Sequence, residues 1–335
     1  MTLNDGKILA CALSLCLGIL SLSAGMVTPL SGDAWTVDGE PCTVPHTWNA
    51  VDGAYGFGDN RQTPSSSDSY ERRVSVYARR LPDPSPGKRY FVRCDGASVK
   101  ATVRVNGMEV GRHVGAFTAF VFEVTPALKE SGNMLEIEVD SRFDPDVPPY
   151  SADFTMYGGL YRDVSLVEAD PVCFDSTPDG GPGVVVDADP ATGTVRVAPR
   201  VSGAERPVFA VRVEGPGLDG PVSGKGLSVC VPSPRLWTPE TPHVYTATVV
   251  VKDGESRDKV TVPFGFRSVG FGEDGLFRLN GKVRRIRGVN YHQDREGKGW
   301  ATSAADRESD VRKIKELGAD GVRTAHYPHS GDVYD

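Results

Sequence analysis

Basic blocks, closely spaced cysteines and long apolar runs are all scarce in this sequence of 335 residues. Lysine and arginine number 37 against 44 aspartates and glutamates, a formal net charge of −7. They gather into no basic helix or block, so the electrostatic footprint that tracks a phosphate backbone is missing and nucleic acid is not expected as a partner. Of the six cysteines, Cys11 and Cys16 lie in an N-terminal apolar run. Cys42, Cys94, Cys173 and Cys230 are far apart, with neither metal-ligand nor redox spacing. Buried thiols on strands are the expectation for these four, with one or two disulfides left open in an oxidising compartment. No Cys/His cluster suggests zinc.

The single long apolar run opens the chain. Lys7 precedes an uncharged stretch from Ile8 to Leu22, followed by Ser23, Ala24 and Gly25. That order of a short charged region, an apolar core and small residues is the order of a secretory signal. Residues 1–25 are therefore read as a signal peptide, and the protein as secreted or periplasmic, or held at the cell surface. An uncleaved anchor is the alternative, since the stretch extends to Val27. Leu15 before Cys16 is too large for a lipidation site.

The remainder is mostly strand pattern. Val99, Ala101, Val103 and Val105 alternate with Lys100, Thr102 and Arg104, and Asn106-Gly107 supplies a tight hairpin turn. Leu135, Ile137 and Val139 alternate with Glu136, Glu138 and Asp140. Half-buried antiparallel strands read this way, and residues 26–170 form a β-sandwich. The Pro/Gly/Asp-rich stretch from Ser176 to Gly183 looks like a boundary. Residues 171–268 carry further strands, among them Phe209 to Val213 and Tyr245 to Val251, and fit a small immunoglobulin-like sandwich. After Gly275 the pattern changes. A hairpin signal at Asn280-Gly281 leads into a strand from Val283 to Tyr291. Ser303 then caps a helix with an apolar stripe of Val311, Ile314 and Leu317 that Gly318 ends, and Gly321 to Tyr327 is a second strand. Strand, helix, strand opens a parallel α/β unit over residues 269–335.

Six motifs in order resemble glycoside hydrolase family 2. They are Val44-Pro45-His46-Thr47-Trp48-Asn49, Gly158-Gly159-Leu160-Tyr161-Arg162-Asp163-Val164, Leu236-Trp237-Thr238-Pro239-Glu240-Thr241-Pro242, Gly265-Phe266-Arg267, Gly288-Val289-Asn290-Tyr291-His292-Gln293-Asp294 and Arg323-Thr324-Ala325-His326-Tyr327-Pro328. The resemblance implies a mainly β chain: a jelly-roll sugar-binding domain, an immunoglobulin-like sandwich and the first βαβ elements of a TIM barrel. His292-Gln293-Asp294 and the residues after it look most like bacterial β-galactosidases, and β-glucuronidases share the architecture. A retaining glycosidase needs two carboxyl groups across the scissile bond. The resemblance implies two glutamates on later barrel strands, the acid/base preceded by Asn, yet the sequence contains no Asn-Glu dipeptide. Both glutamates, the acid/base and the nucleophile, are expected to lie beyond Asp335. No catalytic residue is assigned in this chain, which is expected to be a fragment and inactive alone.

What the resemblance leaves within the chain is sugar-binding surface. His292 and His326 fall at the ends of the first two barrel strands, on the face that builds active sites in such barrels. From position alone each is either a structural histidine or a sugar ligand; the resemblance implies sugar contact. It also implies that Asp153, otherwise a solvated loop carboxylate, reaches the barrel mouth. Asp294 and Arg323 either support the site or form a structural ion pair, and Asn290 fixes backbone near the strand end. Asp59 and Asn60 lie in a Gly-rich loop, but Tyr70-Glu71-Arg72-Arg73 departs from the family's pattern there. Trp237 is read as interdomain packing, His46, His113 and His243 as structural or surface residues, and His329 is unassigned. The chain is expected to hold no cofactor and no metal; the resemblance implies a divalent ion or Na+ elsewhere in the full-length protein. The expected partner is a β-galactoside oligosaccharide or glycan, with a homo-oligomer left open. The alternatives are a β-glucuronidase or related exo-glycosidase, and a binding protein built from the two sandwiches.

Overall fold

The computed structural model describes residues 25–52, 70–148, 154–224 and 226–334. Residues 1–24, which hold most of the run read as a signal peptide, and Asp59, Asn60, Asp153 and Asp335 lie outside the described residues. The expectation that the catalytic glutamates follow Asp335 therefore concerns sequence that this chain does not contain. No helix among the described residues is long and apolar enough to cross a membrane.

The first unit is a jelly-roll sandwich. Its six-stranded sheet runs in the order Glu40–Val44, Gly32–Val37, Val74–Arg80, Met134–Asp140, Lys100–Val105, Met108–Val114. The facing sheet has four strands, Met26–Pro29, Val164–Ala169, Arg89–Cys94 and Phe120–Glu123. The side-chain period of two sends Ala101, Val103 and Val105 from one strand, and Leu135, Ile137 and Val139 from its neighbour, into a common core with Trp35, Tyr77 and Val92. Asn106 and Gly107 turn the hairpin with φ of 54° and 81°, the left-handed pair that such a turn requires.

Two of the sequence motifs meet here. His46 N–H donates to the Leu160 carbonyl at 2.8 Å and Trp48 N–H to the Gly158 carbonyl at 3.2 Å. Asn49, fully buried, accepts from the Gly158 N–H at 2.9 Å. The two segments approach so closely that a Cβ on Gly159 would lie 2.2 Å from the His46 carbonyl oxygen, and one on Gly158 would lie 2.4 Å from the Trp48 ring.

The second sandwich has its own core of Val195, Val211, Val213, Val249, Tyr245 and Phe266. Its main sheet runs Val222–Ser223, Val208–Glu214, Tyr245–Asp253, Ser256–Phe264. Strand Cys173–Phe174 already pairs with Val201–Ser202, so the chain has crossed into this unit before Ser176. The Ser176–Gly183 stretch is not the boundary itself. It folds back on the first sandwich, where Arg93 donates to the Gly180 carbonyl at 2.6 Å. Cys42, Cys94 and Cys173 are buried free thiols, whereas Cys230 is exposed, contrary to the buried-thiol expectation. It falls on the outward phase of the short strand Ser228–Cys230, while its neighbour Val229 takes the core side.

The last segment begins with the strands Val269–Phe271, Phe277–Leu279 and Lys282–Val283, then pairs Gly288–Tyr291 in parallel with Gly321–Thr324 across helix Ala304–Glu316. The expected strand from Val283 is thus split, because residues up to Val283 close the hairpin through Asn280 and Gly281. Ser303 and Asp306 form a reciprocal capping box, and Gly318 follows the helix at φ 78°. The apolar stripe is not buried: Val311 is 39% and Leu317 78% exposed. The buried residue of the helix is Arg307, which grips Asp332 through Nε and Nη2.

Candidate functional site

Parallel pairing puts Asn290 opposite Arg323 and carries His292 and His326 off the same end of the two strands. Their rings meet edge to face, 5.1 Å apart. Phe154, from the first sandwich, lies 5.9 Å from the His292 ring and 5.7 Å from the His326 ring. The site is therefore a histidine pair on barrel strand ends, flanked by an aromatic ring that the sandwich supplies.

Arg323 Nη1 lies 2.8 Å from His326 Nδ1. A guanidinium only donates, so Nδ1 accepts and the proton of the neutral imidazole sits on Nε2. The side chain of Arg323 thereby fixes which His326 nitrogen offers a hydrogen to a ligand. Asp294 is exposed and close enough to Tyr157 and Tyr327 to act on both. Burial first and the Asp294 carboxylate second push the Tyr157 hydroxyl up to about 12. The same two causes raise Tyr327 further. Both tyrosines thus stay neutral hydrogen-bonding groups. Asn290 is exposed.

Behind the histidines lies an aromatic cluster built from both units. Tyr327 stacks on Phe117 with ring centroids 4.3 Å apart, and Trp300, 2% exposed, lies within 5.6 Å of Phe117, Tyr157, Tyr161 and Tyr327. Such offset and edge-on contacts are each worth about 0.5–1.5 kcal/mol beyond area burial. His329, 4% exposed, packs between Tyr291 and Tyr327. Burial lowers it to about 4, so it is neutral at pH 7.

The strand-one loop is held from the other side by charge. Arg295 donates to Asp306 at 2.9 Å and to Asp310 at 2.5 Å, and Tyr291 OH donates to Asp310 at 3.1 Å. Lys298 reaches Asp306 at 2.6 Å. Among the described residues no group of three or more His, Cys, Asp or Glu side chains is placed to hold a metal ion.

Three family models match the chain along its length. The galactose-binding domain-like model of glycosyl hydrolase 2 matches residues 57–153, the glycosyl hydrolases family 2 model residues 187–267, and that family's TIM barrel domain residues 272–335. The chain belongs to glycosyl hydrolase family 2. A β-glucuronidase of Bacteroides fragilis is 32% identical over 330 residues, 91% of this chain and 45% of that protein. A β-galactosidase of Thermoanaerobacter pseudethanolicus is 28% identical, over 79% of this chain and 38% of that protein. Among solved structures, an FMN-binding β-glucuronidase from Facaelibacterium prausnitzii L2-6 superposes with a TM-score of 0.83 at 35% identity, covering 94% of this chain and 50% of that one. The Bacteroides uniformis β-glucuronidase gives 0.78 at 28% identity, covering 92% and 40%. This family 2 chain thus spans half or less of the length of these relatives.

Within the family 2 frame, the structure brings together His292, His326 and Arg323, Asp294 acts instead on Tyr157 and Tyr327, and Asp153 precedes Phe154 outside the described residues. Sequence reasoning missed Phe154, Phe117, Trp300 and Arg162. The aromatics come from separate loops with no shared period, and only their convergence marks them. Trp237 sits where the second sandwich meets the next segment, with the Arg267 guanidinium 4.8 Å over its ring and the Asn280 side chain donating to its carbonyl. His46 bonds Tyr77 OH at 2.8 Å and His113 stacks on Phe120 at 4.5 Å, so both are engaged within the sandwich.

Proposed function

We propose that this chain supplies part of the sugar-binding wall of an exported retaining β-glycosidase that acts on terminal β-glucuronides. The observation that carries the glycosidase reading is the His292–His326 pair at the ends of two parallel strands, with Phe154 beside it. Imidazoles offer both donors and acceptors to sugar hydroxyls, and an aromatic ring gives the apolar face of a pyranose a surface. The glucuronide preference draws support from the β-glucuronidases at 32% and 30% identity and from the structural relative at 35%. The β-galactoside expected from the sequence is the second reading, supported by the β-galactosidase at 28% identity. The catalytic carboxyl pair belongs to the whole protein, as does any bound divalent ion or Na+, and the N-terminal run serves as its export signal.

The test compares turnover of 4-nitrophenyl β-D-glucuronide and β-D-galactoside by the protein expressed from its complete reading frame. Higher kcat/KM on the glucuronide supports the reading; higher kcat/KM on the galactoside restores the second one. His326→Ala should lower kcat/KM about tenfold or more, the loss of a hydrogen bond worth about 1.5 kcal/mol. Residues 26–335 alone should turn over neither substrate, and turnover would place a catalytic carboxyl pair inside this chain.

A further inference from the structure

We infer that Arg162 is a positioning residue for the sugar site, setting the histidine-bearing strand ends against the sandwich wall; this rests on the glycosidase reading above. Arg162 is 7% exposed, although its charge favours water. Its guanidinium spans the junction. On the sandwich side Nη1 donates to the Phe117 carbonyl at 2.9 Å and the Asp95 carbonyl at 3.3 Å. On the barrel side Nη2 donates to Gln293 Oε1 at 3.0 Å and the Pro328 carbonyl at 2.7 Å.

The four acceptors are placed where they matter. Gln293 follows His292 directly, and Pro328 lies two residues after His326. Phe117 is the ring that stacks on Tyr327 between them. One planar group therefore ties both strand ends to the loop on which their aromatic wall is built. The Tyr161 ring lies 5.2 Å from the guanidinium carbon, and its hydroxyl donates to the Ala116 carbonyl at 2.5 Å, which holds the same loop from beneath.

All four acceptors are uncharged oxygens, so this is not an ion pair that a generic cation restores. Lysine keeps the charge but gathers its donors on one nitrogen, which cannot reach both sides of the junction in a fixed plane. A shift of about 1 Å in groups that orient a substrate is enough to cost roughly 100-fold in rate.

The experiment measures kcat and KM separately for wild type and Arg162→Lys in the protein from its complete reading frame. Both 4-nitrophenyl glycosides are used, with the folded fraction followed by circular dichroism at the assay temperature. Arg162→Lys should stay folded, keep the shape of its pH profile, and lose roughly 10- to 100-fold in kcat/KM, with KM raised. If Arg162→Lys does not fold, Gln293→Leu carries the same test, because it removes one barrel-side acceptor and leaves the guanidinium three. A folded variant with kcat/KM within twofold of an active wild type overturns the role of Arg162 alone. So does a loss in a partly folded variant that its reduced folded fraction accounts for in full. A wild type inactive on both glycosides overturns the glycosidase reading, and the positioning role with it.

Discussion

Replacing Gly159 by alanine tests the close approach on which the first sandwich is built. Gly159 has φ of 144°, a conformation that costs an L-residue about 1–2 kcal/mol. The added Cβ would stand 2.2 Å from the His46 carbonyl oxygen and 3.1 Å from the Thr47 Cα, both backbone, so no side chain can swing aside. The segments must part by about 1 Å, weakening the bonds from His46 N–H to Leu160 and from Ser98 N–H to Gly159, each worth about 1 kcal/mol. The expected cost is about 3–4 kcal/mol. For a domain of this size, at about 2–4 °C per kcal/mol, that lowers its midpoint by roughly 6–16 °C. Gly87→Ala is the control: its φ is 73°, nothing lies within 4 Å of the new Cβ, and the cost is about 1 kcal/mol. Differential scanning calorimetry reads both, each midpoint taken against wild type. A Gly159→Ala midpoint within 2 °C of the Gly87→Ala midpoint would show that the segments give way easily and refute the reasoning (roughly half of the smallest separation expected).

The histidine beneath the site should make stability pH-dependent. Burial holds His329 at about 4, below an unfolded value near 6.5, so its contribution is present above that value and is lost as pH falls towards 4. The midpoint of wild type should therefore drop more between pH 7.5 and 5 than that of His329→Phe; parallel curves would exclude the burial argument. Arg89 joins the two sandwiches. It pairs with Glu123 at 2.6 and 3.0 Å, and donates to Ser202 Oγ at 2.7 Å and the Pro171 carbonyl at 3.3 Å. Arg89→Met should cost about 1–3 kcal/mol by stranding a partly buried carboxylate, and calorimetry should show the two sandwich transitions separating. Unchanged, coincident transitions would count against a latch at this junction.

The alternation of Leu135, Ile137 and Val139 and the Asn106-Gly107 turn make strands and hairpins legible in the sequence, because both depend on neighbours a few residues apart. The Ser303 and Gly318 helix ends are local in the same way. The ordered motifs extend that reach to the family, since each marks a close approach or a strand end at a fixed place in the chain. The chain alone also puts His292 and His326 after parallel strands, and so at one end of the sheet.

Tertiary structure decided what depends on distant segments. Arg162 stands in one of the ordered motifs, but nothing in the sequence gives it a task until Gln293, 131 positions away, accepts its hydrogen bond. Phe154 and Phe117 belong to no periodic pattern; they become the site's wall only when the sandwich loops dock on the strand ends. The Ser176–Gly183 loop has the composition of a linker, yet Arg93 holds it against the first sandwich. Cys230 reads like the three buried cysteines, and only the direction of one short strand puts it outside. Local sequence sets backbone conformation through short-range sterics and hydrogen bonds. Which side chains meet across a domain junction is set by packing, which no short window of sequence contains.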